Sequence, residues 1–390
     1  MYLTQTDIVK LQLENNKNFT AGQAIREIIT DDETSQEKKD MQEGIDYYNV
    51  KNKILDHDFR VYYLEKKIMV NPNKSNNLIA HPWMGLLNDQ KAAYMVAKPM
   101  SMTADDEAYS KSLNNMFGKR FDDLMFTFVV NSANQGVEYL HPYVNQRGEF
   151  DYLISNAKEI IPIYDTQFQK DLVGVLRYYK VAVTEQVGGP TEYRYKVEIW
   201  DHEKVTYYIE NGSKEIVFDY SEDANPKYHW YLYNSINPSI KKGFSWGRVP
   251  FVQYRNNELM TSDLAYTKSL IDDYDFQVSD MSNKLVNIAR LVWVLQGYEG
   301  TDLGEFVRNL ESFGAIKVKE KGAVDPKSVE IPHEAHNAHL DRLEDNIYIF
   351  GRGVNMRKAN NFGNSPSQVA LKVMCGLLDL KCNTAISKLN

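Results

Sequence analysis

The hydrophobic and polar positions change rhythm three times along the chain. The first 60 residues are polar and read as helical, and helices are expected on to about residue 135. The stretch "DDETSQEKKDMQEGIDYYNVKNKIL" (31–55) mixes charges of both signs and then brings Tyr47 and Tyr48 together. A helix is expected between Pro82 and Pro99, because proline tolerates the first helical turn and breaks the interior. Another is expected from 104 to about 135. From Gly136 to about Tyr254 the period drops to two, in "YRYKVEIW", "KVTYYIE", "KEIVFDY" and "HWYLYN". Asn211-Gly212 stands between two such segments, a strong hairpin signal. An antiparallel meander over about 136–254 follows from that pattern.

At Thr261 the rhythm changes to steps of four and three: Thr267, Ile271, Tyr274, Val278, Met281, Leu285 and Ile288. That is the repeat of helices packed side by side, a narrow seam on an otherwise polar helix. The seam resumes past Pro332 at His336, Leu340, Leu343, Ile347 and Phe350. Between the two helices lies a module of mixed character. In it "ARLVWVLQGY", "AIKVKE" and "SVEIP" read as strands and "TDLGEFVRNLESF" as a short helix. The order helix, module, returning helix suits a stalk with a knob at its tip better than an enzyme core.

After the second seam helix comes "GRGVNMRKANNFGNS" (351–365), which holds Arg352, Arg357 and Lys358, three glycines and no acidic residue. A capped apolar helix follows in "GNSPSQVALKVMCGLLDLKCN" (363–383). Ser365 is a good N-cap, Pro366 fits the first turn and Gln368 completes a capping box. Both cysteines, Cys375 and Cys382, fall in this helix. Seven residues put them about 10 Å apart along the axis, too far for an intrachain disulfide, so they read as two small buried hydrophobes.

Composition narrows the function. The 390 residues carry a formal charge of −8, so bulk attraction to nucleic acid is excluded and any contact needs a local basic feature. The 26 tyrosines suit half-wet sheet faces and interfaces. No apolar run approaches a membrane span and no secretory leader pattern opens the chain.

Chemistry-bearing motifs are few. His333, His336 and His339 follow one another at three-residue steps, whereas a zinc-protease helix needs i, i+4, so these rings splay around the helix and converge poorly on a metal. No Walker-type phosphate loop and no G-x-S-x-G occur. "GRGVNM" has Met356 where a dinucleotide fingerprint needs its third glycine. Asp122-Asp123 and Asp272-Asp273 read as solvated helix faces. No catalytic residue, cofactor or metal ligand is expected. What remains is the basic loop, either an ordinary surface loop or a glycine-hinged offer of Arg352, Arg357 and Lys358 to phosphates.

Several segments in order resemble one family, the portal proteins of tailed bacteriophages, in the SPP1-like branch found in siphophages of Gram-positive hosts. "YYNVKNKIL" (47–55) looks like the family's Tyr-Tyr-x-Gly-x-x-x-Ile-Leu, with Val50 in place of the usual glycine. "NNLIAHPWMGLLNDQKAAYMVAKPM" (76–100) is similar to its Asn-Asn-Arg-Ile, Asp-x-Lys, Tyr and Gly-Lys-Pro landmarks, with Leu78 and Ala97 departing. "GEFDYLISNAKEIIPIYD", "WGRVPFVQYRNNE", "SLIDDYDFQVSDMSN" and "GNSPSQVALKVMCGLLDLK" resemble further landmarks.

The resemblance implies an α+β portal fold. Its wing would cover 1–261, helical to about 135 and then a β-meander, with stem helices at 262–289 and 333–350. A small α/β clip would lie at 290–332, a tunnel loop at 351–364 and a crossing helix at 365–390, with the family's helical crown apparently absent. It implies a non-enzymatic homo-oligomeric ring, dodecameric in virions, placed at the capsid portal vertex and present in host cytoplasm during assembly. Double-stranded DNA would pass through it. Its partners would be the terminase large subunit, the head–tail adaptor, and capsid and scaffolding proteins, with no membrane. The seam residues Ile271, Tyr274, Val278, Met281, Leu285, Leu340, Leu343 and Ile347 would pack in the ring, and Arg352, Arg357 and Lys358 would face DNA. Two other readings stay open: a capsid- or tail-associated structural protein that never contacts DNA, and a metal-dependent enzyme at His333, His336 and His339.

Overall fold

The computed structural model describes residues 21–64, 67–72, 74–96, 102–145, 147–165, 171–184, 189–233, 241–288, 292–296, 323–327, 333–359 and 368–387. Two compact units share the chain. One comprises 1–50, 82–267 and 348–390, the other 51–81 and 268–347. The sequence-based division leaves 51–81 within the large N-terminal region. Hydrogen bonds instead tie it to the first long seam helix, for a reason given below.

In the larger unit, helices α1 (Ala21–Thr34) and α2 (Gln36–Tyr48) come first. Ser35 caps α2 by accepting the Lys38 N–H at 3.2 Å. Next come α3 (Trp83–Met95) and α4 (Glu107–Gln135). Both lie inside their predicted spans. α4 breaks at Gly118, whose φ of 49° is non-helical. It ends at Gly136, with φ 87°, where a Cβ would also sit 2.0 Å from the Met260 carbonyl oxygen. Glycine is required there on both counts.

The alternating region forms sheets, but not one meander. A six-stranded antiparallel sheet contains β5 (Ile160–Tyr164), β6 (Leu172–Val183), β7 (Glu192–Trp200) and β8 (Lys204–Glu210) in sequence order. Both β9 (Ile216–Phe218) and β10 (Lys227–Tyr228) pair with β8. A second sheet joins β3 (Val137–Val144) to β4 (Phe150–Ser155) and, on the other edge of β3, to β13 (Val252–Arg255) from the far end of the region. β11 (Trp230–Tyr233) and β12 (Lys241–Phe244) form a separate hairpin. Alternation fixes which face each strand buries but not which strand it pairs with, so the return of β13 to β3 was not visible in it. The Asn211 hairpin does form. Asn211 Oδ1 accepts the N–H groups of Ser213 and Glu215, and the left-handed residue is Lys214, at φ 61°, not Gly212.

Among the described residues, apolar clusters hold this unit, three of them around its sheets. α1 lies on the large sheet through Ile25 and Ile29 against Leu176, Val197 and Ile216. Trp200, Val175, Tyr139 and Phe251 fill the space between sheets. Phe121, Met125 and Phe128 of α4 pack with Tyr152, Tyr254, Ala92 and Ala385. Each such side chain contributes about 1.5–3 kcal/mol on burial.

The smaller unit contains a β1–β2 hairpin (Val61–Leu64, Lys67–Val70) that the periodicity did not suggest. It also holds the seam helices α5 (Lys268–Ile288) and α6 (His333–Phe350), the latter running a few residues past the unit's boundary. One face of α5 that this unit covers is polar. Asp275, Ser279 and Asn283, one per turn, are all buried. They bond to alternate residues of the extended segment 77–81. The N–H groups of Asn77, Ile79 and His81 donate to Asn283 Oδ1, Ser279 Oγ and Asp275 Oδ1 at 2.7, 2.9 and 3.1 Å. Four helical residues rise about 6.0 Å and two extended residues about 6.6 Å, so the registers match over this length. Asp275 also accepts from Asn52 Nδ2 at 2.6 Å and meets His81 Nδ1 at 2.7 Å. This ladder is why 51–81 belongs with α5.

Between the seam helices, β14 (Val292–Gln296) pairs antiparallel with β15 (Ala323–Lys327). The first matches a predicted strand. The second lies between the two strands expected at "AIKVKE" and "SVEIP", and carries Pro326. Proline is tolerated there because a two-stranded ribbon has outward edges needing no ladder donor. The predicted helix and the rest of 290–332 lie outside the described residues.

Candidate functional site: the base of the basic loop

α6 ends in a closed cap. The Arg352 N–H donates to the Ile349 carbonyl at 3.2 Å and the Gly353 N–H to the Tyr348 carbonyl at 2.9 Å. That pairing needs a left-handed residue at the penultimate position, and the residue is Arg352, at φ 54°. A non-glycine there costs on the order of 1 kcal/mol. Its side chain is exposed.

The next residues are pinned onto α3. Gln90 makes two bonds to Val354, accepting its N–H at 2.9 Å and donating to its carbonyl at 3.0 Å. Gly353 passes so close that a Cβ would lie 2.4 Å from Leu87 Cδ2. Val354 enters a small apolar cluster with Met95 and with Leu378 and Cys382 of the last helix, α8 (Gln368–Ile386). A short turn, α7 (Met356–Ala359), follows, in which Asn355 Oδ1 accepts the Arg357 N–H at 3.0 Å. Arg357 is exposed. Lys358 lies in the same turn, and 360–367, with the predicted cap at Ser365, lie outside the described residues.

Beneath the loop's first residue sits a buried ionic cluster that the sequence reading missed. Lys381 of α8 donates to Asp263 Oδ2 at 2.8 Å and to the Gly351 carbonyl at 3.0 Å. Lys91 of α3 reaches the same carboxylate oxygen at 3.3 Å and also donates to Asn256 Oδ1. Asn256 Nδ2 closes the circuit onto Asp263 Oδ1 at 2.9 Å. Against the opposing effect of burial, the Lys381 and Lys91 ammoniums hold the Asp263 carboxyl well below its usual range, while burial pushes Lys91 down. The only advance signal was Lys381, the one cation in the apolar body of "VMCGLLDLKC".

The seam residues sit apart from this site. Ile271, Leu343 and Ile347 are buried, Tyr274, Val278, Met281 and Leu340 half-buried, and Leu285 exposed at 54%. The histidines take separate partners. His336 Nε2 lies 3.3 Å from the Gln277 carbonyl, and His339 Nε2 3.1 Å from Asp273 Oδ2. His333 is exposed. Among the described residues no group of three or more His, Cys, Asp or Glu is placed to hold a metal. Cys375 and Cys382 are both free thiols of α8.

Comparison with known proteins gives a consistent picture. The family model described as "Phage portal protein, SPP1 Gp6-like" matches residues 28–389. The portal protein of Bacillus phage SPP1 is 34% identical over 351 residues, covering 89% of this chain and 66% of that protein. The chain thus spans just under two thirds of that relative. The portal protein of Clostridium phage phiCD119 is 28% identical over 390 aligned residues, covering 94% of this chain and 80% of that one. Among solved structures, the neck of a native GTA particle computed with C12 symmetry aligns over 78% of this chain and 76% of its own. That alignment has 11% identity and a TM-score of 0.28, a likeness too slight to bear on the fold.

Proposed function

Because the chain belongs to the SPP1 Gp6-like family of phage portal proteins, we propose that it is the subunit of a dodecameric ring at a capsid vertex, the channel for double-stranded DNA on packaging and ejection. Family membership over 28–389 is the observation that carries this reading. In it α5 and α6 are the stem, 290–332 the clip, 351–364 the tunnel loop and α8 the helix crossing the wing. The clip would serve the terminase large subunit and the head–tail adaptor, and the wing the capsid and scaffolding proteins. Among the described residues no helix is long and apolar enough to cross a membrane.

The role is passive: a separate ATPase drives the DNA, and the portal supplies channel and valve. A subunit charge of −8 suits sliding, because each phosphate contact adds affinity and would slow translocation. Contact is left to the basic loop, whose base is held rigid by Gln90 and Lys381 while Arg352 and Arg357 face outward.

Two measurements test this. Negative-stain microscopy of the purified protein should show a ring with a central hole; a monomer would remove the reading. Replacing Arg352, Arg357 and Lys358 together by alanine should leave ring assembly intact and change DNA packaged or retained by several-fold. Unaltered packaging would detach the loop from DNA.

A further inference from the structure

The cluster under the loop borders a small pocket with a cavity volume of about 40 Å³, lined by Lys91, Lys381, Asp263 and Arg352 together with Tyr266 and Phe350. Its lining brings together three basic residues and one acidic one. Lys91 and Lys381 keep only 2% and 8% of their side-chain surface exposed, and Asp263 9%. Two buried ammoniums sharing one carboxylate leave an uncompensated positive charge, a costly arrangement unless an anion answers it. Each ammonium has three N–H donors. Lys381 uses two, on Asp263 and Gly351, and Lys91 two, on Asn256 and Asp263. Among the described residues one donor on each is left.

Arg352 is the third cation. It stands at the rim and has no carboxylate partner among the described residues. It also occupies a left-handed position that glycine would fill without strain, a backbone cost of the kind that gathers at binding sites. A planar guanidinium beside two ammonium donors matches the oxygens of a tetrahedral dianion or of a phosphodiester.

We propose that this pocket binds phosphate, with Lys91 and Lys381 as the floor and Arg352 as the outer clamp. The ligand is an orthophosphate-class anion, either free or carried in a nucleic-acid backbone. This goes beyond the portal reading and holds whether or not the loop meets DNA in a channel.

The test uses the purified protein in thermal unfolding, with orthophosphate titrated against chloride at constant pH and ionic strength. At phosphate well above its dissociation constant the wild type should gain about 2 °C or more over the chloride control. Arg352→Ala should lose most of that gain, and Arg352→Lys should keep part of it. Arg352 is exposed, so these variants leave the folded core intact. A wild-type gain no larger than in chloride, or an equal gain in Arg352→Ala, overturns the site. A short double-stranded oligonucleotide in place of orthophosphate separates the sources. An Arg352-dependent gain that orthophosphate competes away assigns the backbone phosphodiester, and a gain with orthophosphate alone assigns the free ion. Neither depends on packaging, so failure of the ring reading leaves this result standing.

Discussion

Val50 is held at φ 60°, the left-handed region, just past the end of α2. A β-branched residue pays most for that conformation. Val50→Gly should therefore raise stability by about 1 kcal/mol, read from denaturant midpoints; no gain would mean that the valine side chain packs well enough to offset the strain. Glu138 is the second residue that bears a prediction. It is fully buried, accepts the N–H groups of Tyr139 and Ala157 at 3.2 and 2.9 Å, and takes a bond from Gln135 Nε2. Burial pushes its carboxyl up to about 7, against an ordinary 4.5. Between those values the folded state holds a proton that the unfolded chain has released, so stability falls as pH rises through that window. The fall is at most about 3.5 kcal/mol at ~1.4 per unit. Glu138→Gln removes this leg, and its amide can donate to Gln135 Oε1, which is buried without a partner. Melting temperatures of the two proteins from pH 4.5 to 7.5 should converge at the acid end; parallel curves would assign the pH dependence to other groups.

The seam helices were legible as elements but not as to what covers them. The four-three rhythm located the bodies of α5 and α6, although the stem expected from 262 becomes α-helical only at Lys268, and one covered side of α5 carries Asp275, Ser279 and Asn283, which read as solvated flank. A polar stripe becomes core when backbone N–H groups come to it, and periodicity of apolar residues is blind to that. The same limit hid the Lys91–Asp263–Lys381 cluster, whose members are far apart in sequence, while the loop above it stood out by composition. Asp275 is the rung that closes the ladder, with Asn52, the His81 backbone and the His81 ring all on one carboxylate. Asp275→Ala should cost about 2–4 kcal/mol, since one buried donor and two half-buried ones lose their acceptor. Amide exchange should speed most at Ile79 and His81; uniform acceleration over the larger unit would refute a local ladder.

At the scale of the whole molecule, the single chain leaves apolar surface open along two helices. Val373, Leu377 and Leu380 of α8 are exposed at 73%, 43% and 57%, and Leu285 continues the seam of α5 into solvent. Ring assembly would cover the seam. Leu285→Asp is expected to leave the monomer's melting temperature within about 1 °C, because an exposed position contributes little to folding. It should shift sedimentation from ring to monomer, and an intact ring would exclude this part of the seam from the interface. The shared carboxylate of Asp263 has a different consequence, one of timing. Lys91 and Asp263 are 172 residues apart, and Lys381 comes later still. On a ribosome adding about 5–20 residues per second, Asp263 waits roughly ten seconds for its second cation. The larger unit is begun first and finished last, with the smaller one translated in the interval. Nascent chains halted before Lys381 should thus resist protease over 268–288 and 333–347 while remaining open to it at the base of the loop.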